Sequence, residues 1–504
     1  MSPKKTGLFL IIFAFFAGLF RAQGLLVPLF KAPFLGGDVL GVILLLVLLC
    51  YGLRLLVEGQ QEWQFSPLTL KQIKRFRSLK RGYVSFLILL GLTGVAALDN
   101  AIVGKRALAV SYGGQLSFPF LKSDFIPAKT FGFDSEAETD YRELQSRCQI
   151  EKKGDWVLMP IVPFATKLDS PSIIEPLKMR DGVLCRPETQ RGLDATAYTV
   201  FVTNPAQKRQ EFQFRKGVKH GDFRGWNEAG EQVEKGRYEN GKRVSYTDYS
   251  EGKSAAFEPM AHAEWKRLVY PPSEPSLTHR HFLGTNTNGQ DVLAMLFGGW
   301  QQAVVAAVLF VTLVFGMGIL IGGTLGYFGG WVDIIGQRLI EIWSVLPFLF
   351  IVAIISSLIT PSLTILVSVL AAFGWMGTTS YLRTAVFKEK ARDYVAAARL
   401  LGTSTPRIIF HQVLPNVIAI LVTLAPFEIA GVITSLAALD FLGFGLPPDE
   451  PSWGRLLHEG VDNFSSPWIV SSAFAAMASV LILVTFVGEA VREAFDPKKF
   501  TTYR

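Results

Sequence analysis

Long stretches of this chain carry no charge. Residues 292–332, 342–382 and 464–488 contain no Asp, Glu, Lys or Arg, and each exceeds the ~20 apolar residues that cross a bilayer as a helix. Pro361 divides 342–382 into spans of about 338–358 and 362–384, and Pro347 is placed to kink the first of them. Further spans are predicted over about 301–323, 417–439 and 467–488, and over the apolar run from Gly82 to Leu98. Two more runs, Gly7 to Phe20 and Val39 to Leu53, flank a Gly36-Gly37 turn and predict a hairpin of helices over about 6–26 and 38–57. Both of its ends then lie in the cytoplasm, and Arg21 and Arg54 snorkel at the span ends. A cleaved signal peptide is the competing reading of the first run, but no small-x-small cleavage site follows it.

Polar positions set the orientation. Lys71, Lys74, Arg75, Arg77, Lys80 and Arg81 crowd the entry to the Gly82 span. So dense a basic segment marks the cytoplasmic side and can touch anionic lipid headgroups. From Asp99 the chain is therefore outside. Half of the 504 residues are hydrophobic and only 18% are charged, against about 25% in soluble domains. The net charge of +8 then reflects basic cytoplasmic loops rather than a nucleic-acid surface. The fold expected is an all-α polytopic membrane protein with a β-rich extracytoplasmic insert. Its parts are a transmembrane hairpin over 1–60, a basic segment and first core helix over 61–98, an extracytoplasmic region over 99–298, five core helices over 299–490, and a cytoplasmic tail over 491–504.

The extracytoplasmic region shows short alternating apolar runs with Gly and Pro punctuation, which predict strands. Inside the insert, about 170–275, Phe214 to Gly221 is echoed by Tyr238 to Val244. Asn240-Gly241 favours a type I′ hairpin turn, and Gly230 marks another turn. Phe223, Trp226 and Tyr238 are expected to cover one face of the sheet. The repeat resembles a MORN-type or related antitoxin-like hairpin unit, with a generic hairpin module as the alternative. His220 reads as a turn residue; no Cys/His cluster with ligand spacing accompanies it, so no metal site is expected. Cys148 and Cys185 both lie outside, where a disulfide can form; Cys50 falls in the N-terminal hairpin.

Between two spans lies Asp393 to Asn416, helical in pattern and charged at both ends. Ala, Leu and Arg predict a helix over 391–401, and Gly402 suits its end, where φ > 0 is often needed. Thr405 and Pro406 read as N-cap and N1 of a second helix over about 406–414, which Pro415 ends. Small residues on one face let a partner's backbone approach closely.

This stretch resembles the EAA loop of ABC-importer permeases, with Ala397, Ala398, Gly402, Leu414 and Pro415 matching; Ala396 stands for the Glu and Gln412 for an apolar residue. Other segments resemble the C-type permeases of dipeptide and oligopeptide importers. They are Gly284-Thr285 to Leu293, Gly326-Tyr327 to Asp333, Asp440-Phe441-Leu442-Gly443-Phe444-Gly445, Pro451-Ser452-Trp453-Gly454 and the ending GEAVREAFDP. The variants look most like the microcin C and oligopeptide permease branch, over about 70–168 and 280–500.

The resemblance implies a six-helix type I importer core in the bacterial cytoplasmic membrane. It implies as partners a B-type permease, two ABC ATPase subunits and an extracytoplasmic solute-binding protein. Ala396, Ala397, Ala398, Arg399, Gly402, Thr405, Pro406, Leu414 and Pro415 would form the ATPase-coupling surface. No cofactor or catalytic residue is expected on this chain. ATP and Mg belong to the partners, because Gly252-Lys253-Ser254 has Thr247 where a P-loop needs Gly. Glu428 and Asp440 are the candidates for a substrate path or subunit interface, since a carboxylate in a membrane helix is a functional candidate by default; a packing role for Glu428 stays open. A membrane-anchored scaffold with a β-repeat domain is the alternative function. A channel or secondary transporter would need partnered intramembrane charges or an internal repeat, and neither is visible.

Overall fold

The computed structural model describes residues 67–496, apart from 99–100, 123, 152–153, 181, 187–190, 202–206 and 250–263. The expected N-terminal hairpin with Cys50, the segment holding Gly252-Lys253-Ser254, and the end of the tail lie outside the described residues. The chain divides into two compact units: Ser170–Ser273 with Thr287–Gly289 is one, and the remainder is the other.

The larger unit opens with the basic helix α1 (Pro67–Ser78) and the span α2 (Lys80–Ala97). Gly82 lets α2 approach the last span closely: a Cβ there would sit 2.1 Å from that of Ala490. Outside the membrane, β1 (Ala109–Tyr112), β2 (Gln115–Ser117) and β3 (Trp156–Leu158) form a three-stranded antiparallel sheet in the order β2-β1-β3. A helix, α3 (Tyr141–Glu151), covers it. Val110, Val157, Tyr141 and Leu144 make the shared core. This helix adds to the β-rich expectation for the region. Its apolar residues Tyr141, Leu144 and Cys148 fall one helical turn apart, and Asp140 accepts hydrogen bonds from the amides of Arg142 and Glu143 at its start.

The core spans follow. α4 (Val292–Met317) runs on through a π-turn, Gly318–Gly322, into α5 (Gly323–Phe328). Asp291 caps α4, its side chain accepting from the Ala294 amide at 2.7 Å. α6 (Gly330–Ser344) and α7 (Phe348–Leu358) meet at 66°. Pro347 thus breaks the helix rather than kinking it, because it lacks an N–H and pushes the residue before it out of the helical region. Arg338 pairs with Glu341 on α6 at 2.5 Å.

α8 (Leu363–Lys390) is the central helix. α9 (Asp393–Leu400) and α10 (Thr405–Ile408) make the connection after α8, and a second π-turn, Ile409–Val413, leads into α11 (Leu414–Phe441). α12 (Trp453–Asp462) and α13 (Pro467–Phe495) complete the unit. Among the described residues, five helices are long and apolar enough to cross a membrane, or six if α6 and α7 count as one broken span.

Two expectations are corrected here. Pro415 does not end a helix: it lies in the first turn of α11, and we attribute its tolerance to the wider π-turn before it, which eases the clash with the preceding carbonyls. The N-cap of α10 is Ser404, with Thr405 and Pro406 already inside the helix.

The second unit is one antiparallel sheet of eight strands. They are β4 (Ile173–Arg180), β5 (Val183–Cys185), β6 (Thr196–Val200), β7 (Lys208–Arg215), β8 (Val218–Trp226), β9 (Gln232–Glu239), β10 (Lys242–Asp248) and β11 (Trp265–Val269). Their order is β10-β9-β8-β7-β6-β11-β4-β5. Lys216-Gly217 and Asn240-Gly241 both have positive φ at two successive residues, the type I′ geometry that matches strand twist. The repeat therefore places the same turn at the same point of two hairpins. Phe212, Phe214, Phe223 and Trp265 are buried together, with Tyr238 against them. Trp226 is not in that core: it lies three residues after Phe223 on one strand, where alternate residues share a face. His220 sits in β8 rather than in a turn, and the Asn240 amide donates to its Nδ1. Cys148 lies in the larger unit and Cys185 in the sheet unit, and each is a free thiol. Cys148 packs on the small sheet's core, and Cys185 is buried on β5 with its thiol toward the Val183 carbonyl; each behaves as a small apolar side chain.

Candidate functional site

The element over 393–416 is built from a helix that stops cleanly. The Thr403 amide donates to the Ala398 carbonyl at 3.1 Å and the Gly402 amide to that of Arg399 at 3.0 Å, the paired bonds of a Schellman ending. Gly402 holds the left-handed conformation at φ +74°, and a Cβ there would meet open space. The inner face is anchored. Val395, Ala398, Ile408 and Val413 are buried with Tyr327, Leu382 and Val386. The outer face is bare: Ala396, Ala397, Arg399, Gly402 and Pro406 are exposed, and Leu400 and Leu401 are 89% and 84% exposed. Thr405 and Leu414 are half-buried, and Pro415 is exposed.

Polar contacts fix the element to the spans on either side. The Tyr394 hydroxyl donates to Glu389 Oε1 at 2.8 Å and accepts from Asn416 Nδ2 at 2.9 Å. Arg392 Nε donates to the other oxygen of Glu389 at 3.1 Å. Burial, and then the bond to Glu389, hold the Tyr394 phenol above its ordinary pKa. The Arg399 guanidinium lies over the Tyr327 ring at 5.1 Å from its centroid, and Lys390 at 5.7 Å. Arg383 on α8 holds Asp333 on α6 in a bidentate pair. The end of α8, α9, the start of α11 and the α5–α6 junction are thus tied together.

Within the spans, a cavity of about 300 Å³ is lined by Phe310 of α4, Phe348 of α7, Leu370, Phe373 and Gly374 of α8, and Glu428, Gly431, Val432 and Ser435 of α11. Glu428 Oε1 accepts from the Thr378 hydroxyl at 3.1 Å. Asp440 is elsewhere. It is buried at the end of α11, where Oδ1 accepts from the Leu446 amide at 2.7 Å and Oδ2 from the Ser452 hydroxyl. Ser452 in turn caps α12 by accepting from the Arg455 amide. Asp440 is committed to holding the 442–452 loop.

Residues 318–501 match the family described as binding-protein-dependent transport system inner membrane component. The chain is 31% identical over 437 residues to the inner membrane ABC transporter permease protein YejE of Escherichia coli strain K12, covering 86% of this chain and 99% of that one. It is 29% identical to the peptidoglycan transport system permease protein YejE of Agrobacterium fabrum, over 89% and 97% of the two chains. It is 32% identical to the oligopeptide transport system permease protein OppC of Mycobacterium tuberculosis strain H37Rv, over 46% and 80%. The chain belongs to the binding-protein-dependent transport permeases. It is a multi-pass protein of the inner membrane.

In this permease the expected coupling residues fall on one short element, whereas Glu428 and Asp440 serve different places. Several partners were invisible in the sequence. Glu389 and Asn416 stand 5 before and 22 after Tyr394, and Thr378 is 50 residues from Glu428. No local pattern joins such positions. Glu389 puts a carboxylate at the junction, seven residues before Ala396. Tyr327 alone had a signal, the Gly-Tyr-x-Gly-Gly run it belongs to.

Proposed function

We propose that this permease is the C-type subunit of an ATP-driven importer of peptides or peptide-like solutes. It works with a B-type permease, two ABC ATPase subunits that bind ATP and Mg, and an extracytoplasmic binding protein. The observation that carries the reading is the element 393–416: two exposed leucines, Leu400 and Leu401, sit at the tip of a helix whose other face is locked to α5, α8 and α11. An apolar tip outside the membrane spans and held by a rigid base suits a protein groove. Closure of the ATPases would push on this element. The Arg399–Tyr327 contact and the Glu389–Tyr394–Asn416 bonds would pass the displacement to the spans. The cavity beside Glu428 then lies on the solute path. The relatives' names support the peptide class of cargo.

The test is co-purification of the transporter from mild detergent, wild type against Gly402→Trp. The indole adds bulk at an exposed position with no neighbour within 4 Å, but φ +74° strains any L-residue there, so Leu400→Arg, which changes the exposed tip and leaves the helix ending intact, is run beside it and should lose the ATPase too. An ATPase subunit that co-purifies with the wild type and is lost from the variant supports the reading. Absence of any ATPase from both, with the protein intact, would overturn it in favour of a membrane scaffold.

A further inference from the structure

We infer that the cavity beside Glu428 is a cation subsite that takes an ammonium group of the transported solute. The inference rests on the reading that this cavity lies on the solute path. Glu428 is the one charged residue among the lining residues. A carboxylate inside the membrane is costly unless donors reach it. The Thr378 hydroxyl reaches Oε1; among the described residues no donor is placed on Oε2. The remaining wall suits a cation as well. Phe310, Phe348 and Phe373 line the same space, with Phe348 and Phe373 set edge to face at 5.4 Å. The negative face of an aromatic ring attracts ammonium groups. A primary ammonium has three donors, and the side-chain acceptors among the lining residues are the Glu428 carboxylate and the Ser435 hydroxyl. An anionic group would meet the carboxylate's repulsion.

Size narrows the ligand further. About 300 Å³ is the bottom of the ~300–1,000 Å³ range of small-molecule sites. The cavity therefore holds one end of a peptide rather than the whole. The ammonium can come from a free N-terminus or from a basic side chain. Gly431 gives an independent handle. It lines the cavity one helical turn from Glu428, and a Cβ there meets nothing within 4 Å. A larger side chain at Gly431 grows into the cavity without displacing packing.

The experiment is uptake by proteoliposomes holding the whole transporter, at saturating solute. Three probes are used: trialanine; lactyl-dialanine, in which a hydroxyl replaces the α-ammonium; and lactyl-alanyl-lysine, which keeps only a side-chain ammonium. The readout is the rate of each ammonium probe relative to lactyl-dialanine. Glu428→Gln is expected to lower that preference at least tenfold, and Glu428→Asp to keep it within about threefold. A fall for trialanine alone assigns the site to the N-terminus; a fall for the lysine probe alone assigns it to basic side chains. An equal loss for all probes, a preference unchanged by Glu428→Gln, or a loss of the partner permease from the purified complex overturns the subsite. In the last case Glu428 is a subunit contact. Gly431→Leu is expected to block all three probes in an assembled complex. If it does so while Glu428→Gln leaves the preference intact, the path stands and the cation subsite alone falls. If Gly431→Leu leaves uptake unchanged, the cavity is off the path and both readings fall.

Discussion

Two neighbouring glycines should respond to the same methyl group with opposite sign. Gly318, Gly322 and Gly326 form a stripe that brings the α4–α5 helix against α8. A Cβ on Gly322 would lie 2.7 Å from the Thr379 carbonyl oxygen and 3.1 Å from Leu382 Cβ. Both are parts of the helix backbone or its root, so the helices must separate by several tenths of an ångström. Overpacking of this kind costs roughly 1–3 kcal/mol. Alanine returns about 1 kcal/mol of helix propensity, which offsets part of that cost. Gly323, the next residue, is helical, and a Cβ there meets nothing within 4 Å. Gly323→Ala keeps the propensity gain alone, so the two variants should differ by about 2 kcal/mol. The assay is equilibrium unfolding of the purified permease by dodecyl sulfate in mixed micelles. Gly322→Ala should unfold earlier than wild type and Gly323→Ala later. Equal shifts, or Gly322→Ala as the more stable, would show that close packing does not hold α4 to α8.

Two further outcomes follow from polar contacts outside the spans or at their ends. Although burial opposes it, the hydrogen bonds and charges of Lys105 and Arg106 hold the Glu138 carboxyl below its ordinary pKa. A depressed folded pKa contributes stability above the ordinary carboxylate range and loses it as pH falls through the lowered value; Glu138→Gln should unfold earlier at neutral pH and show a flatter acid limb in melts taken across that range. Asp440→Ala leaves the Leu446 amide and the Ser452 hydroxyl without an acceptor, at ~1–3 kcal/mol for each buried group. Hydrogen exchange at the Leu446 amide should then quicken roughly ten- to hundredfold, and an unchanged rate would place the loop's support elsewhere.

Local chemistry was readable wherever a backbone group had one solution. Gly402 ends α9 because an L-residue disfavours φ +74°. Asn240-Gly241 turns a hairpin for the same reason. Pro347 bends its span where the sequence places the bend, though as a full break. Reading failed where the neighbour decided the matter. Pro415 reads as a stop, but the π-turn before it accommodates the ring. Tyr141, Leu144 and Cys148 carry a helical period that was lost among strand signals.

The sequence by itself determined that this is a polytopic membrane protein, where its basic segment lies, and which short helical element joins α8 to α11. Those follow from solvent preference and backbone limits, which act residue by residue. Only the tertiary structure decided that Glu428 meets Thr378 and lines a cavity while Asp440 is spent on a loop. The same holds for Tyr327, which meets Arg399, and for Glu389, which serves the junction. Such pairings join residues brought together by packing, and a carboxylate's role depends on which donors reach it.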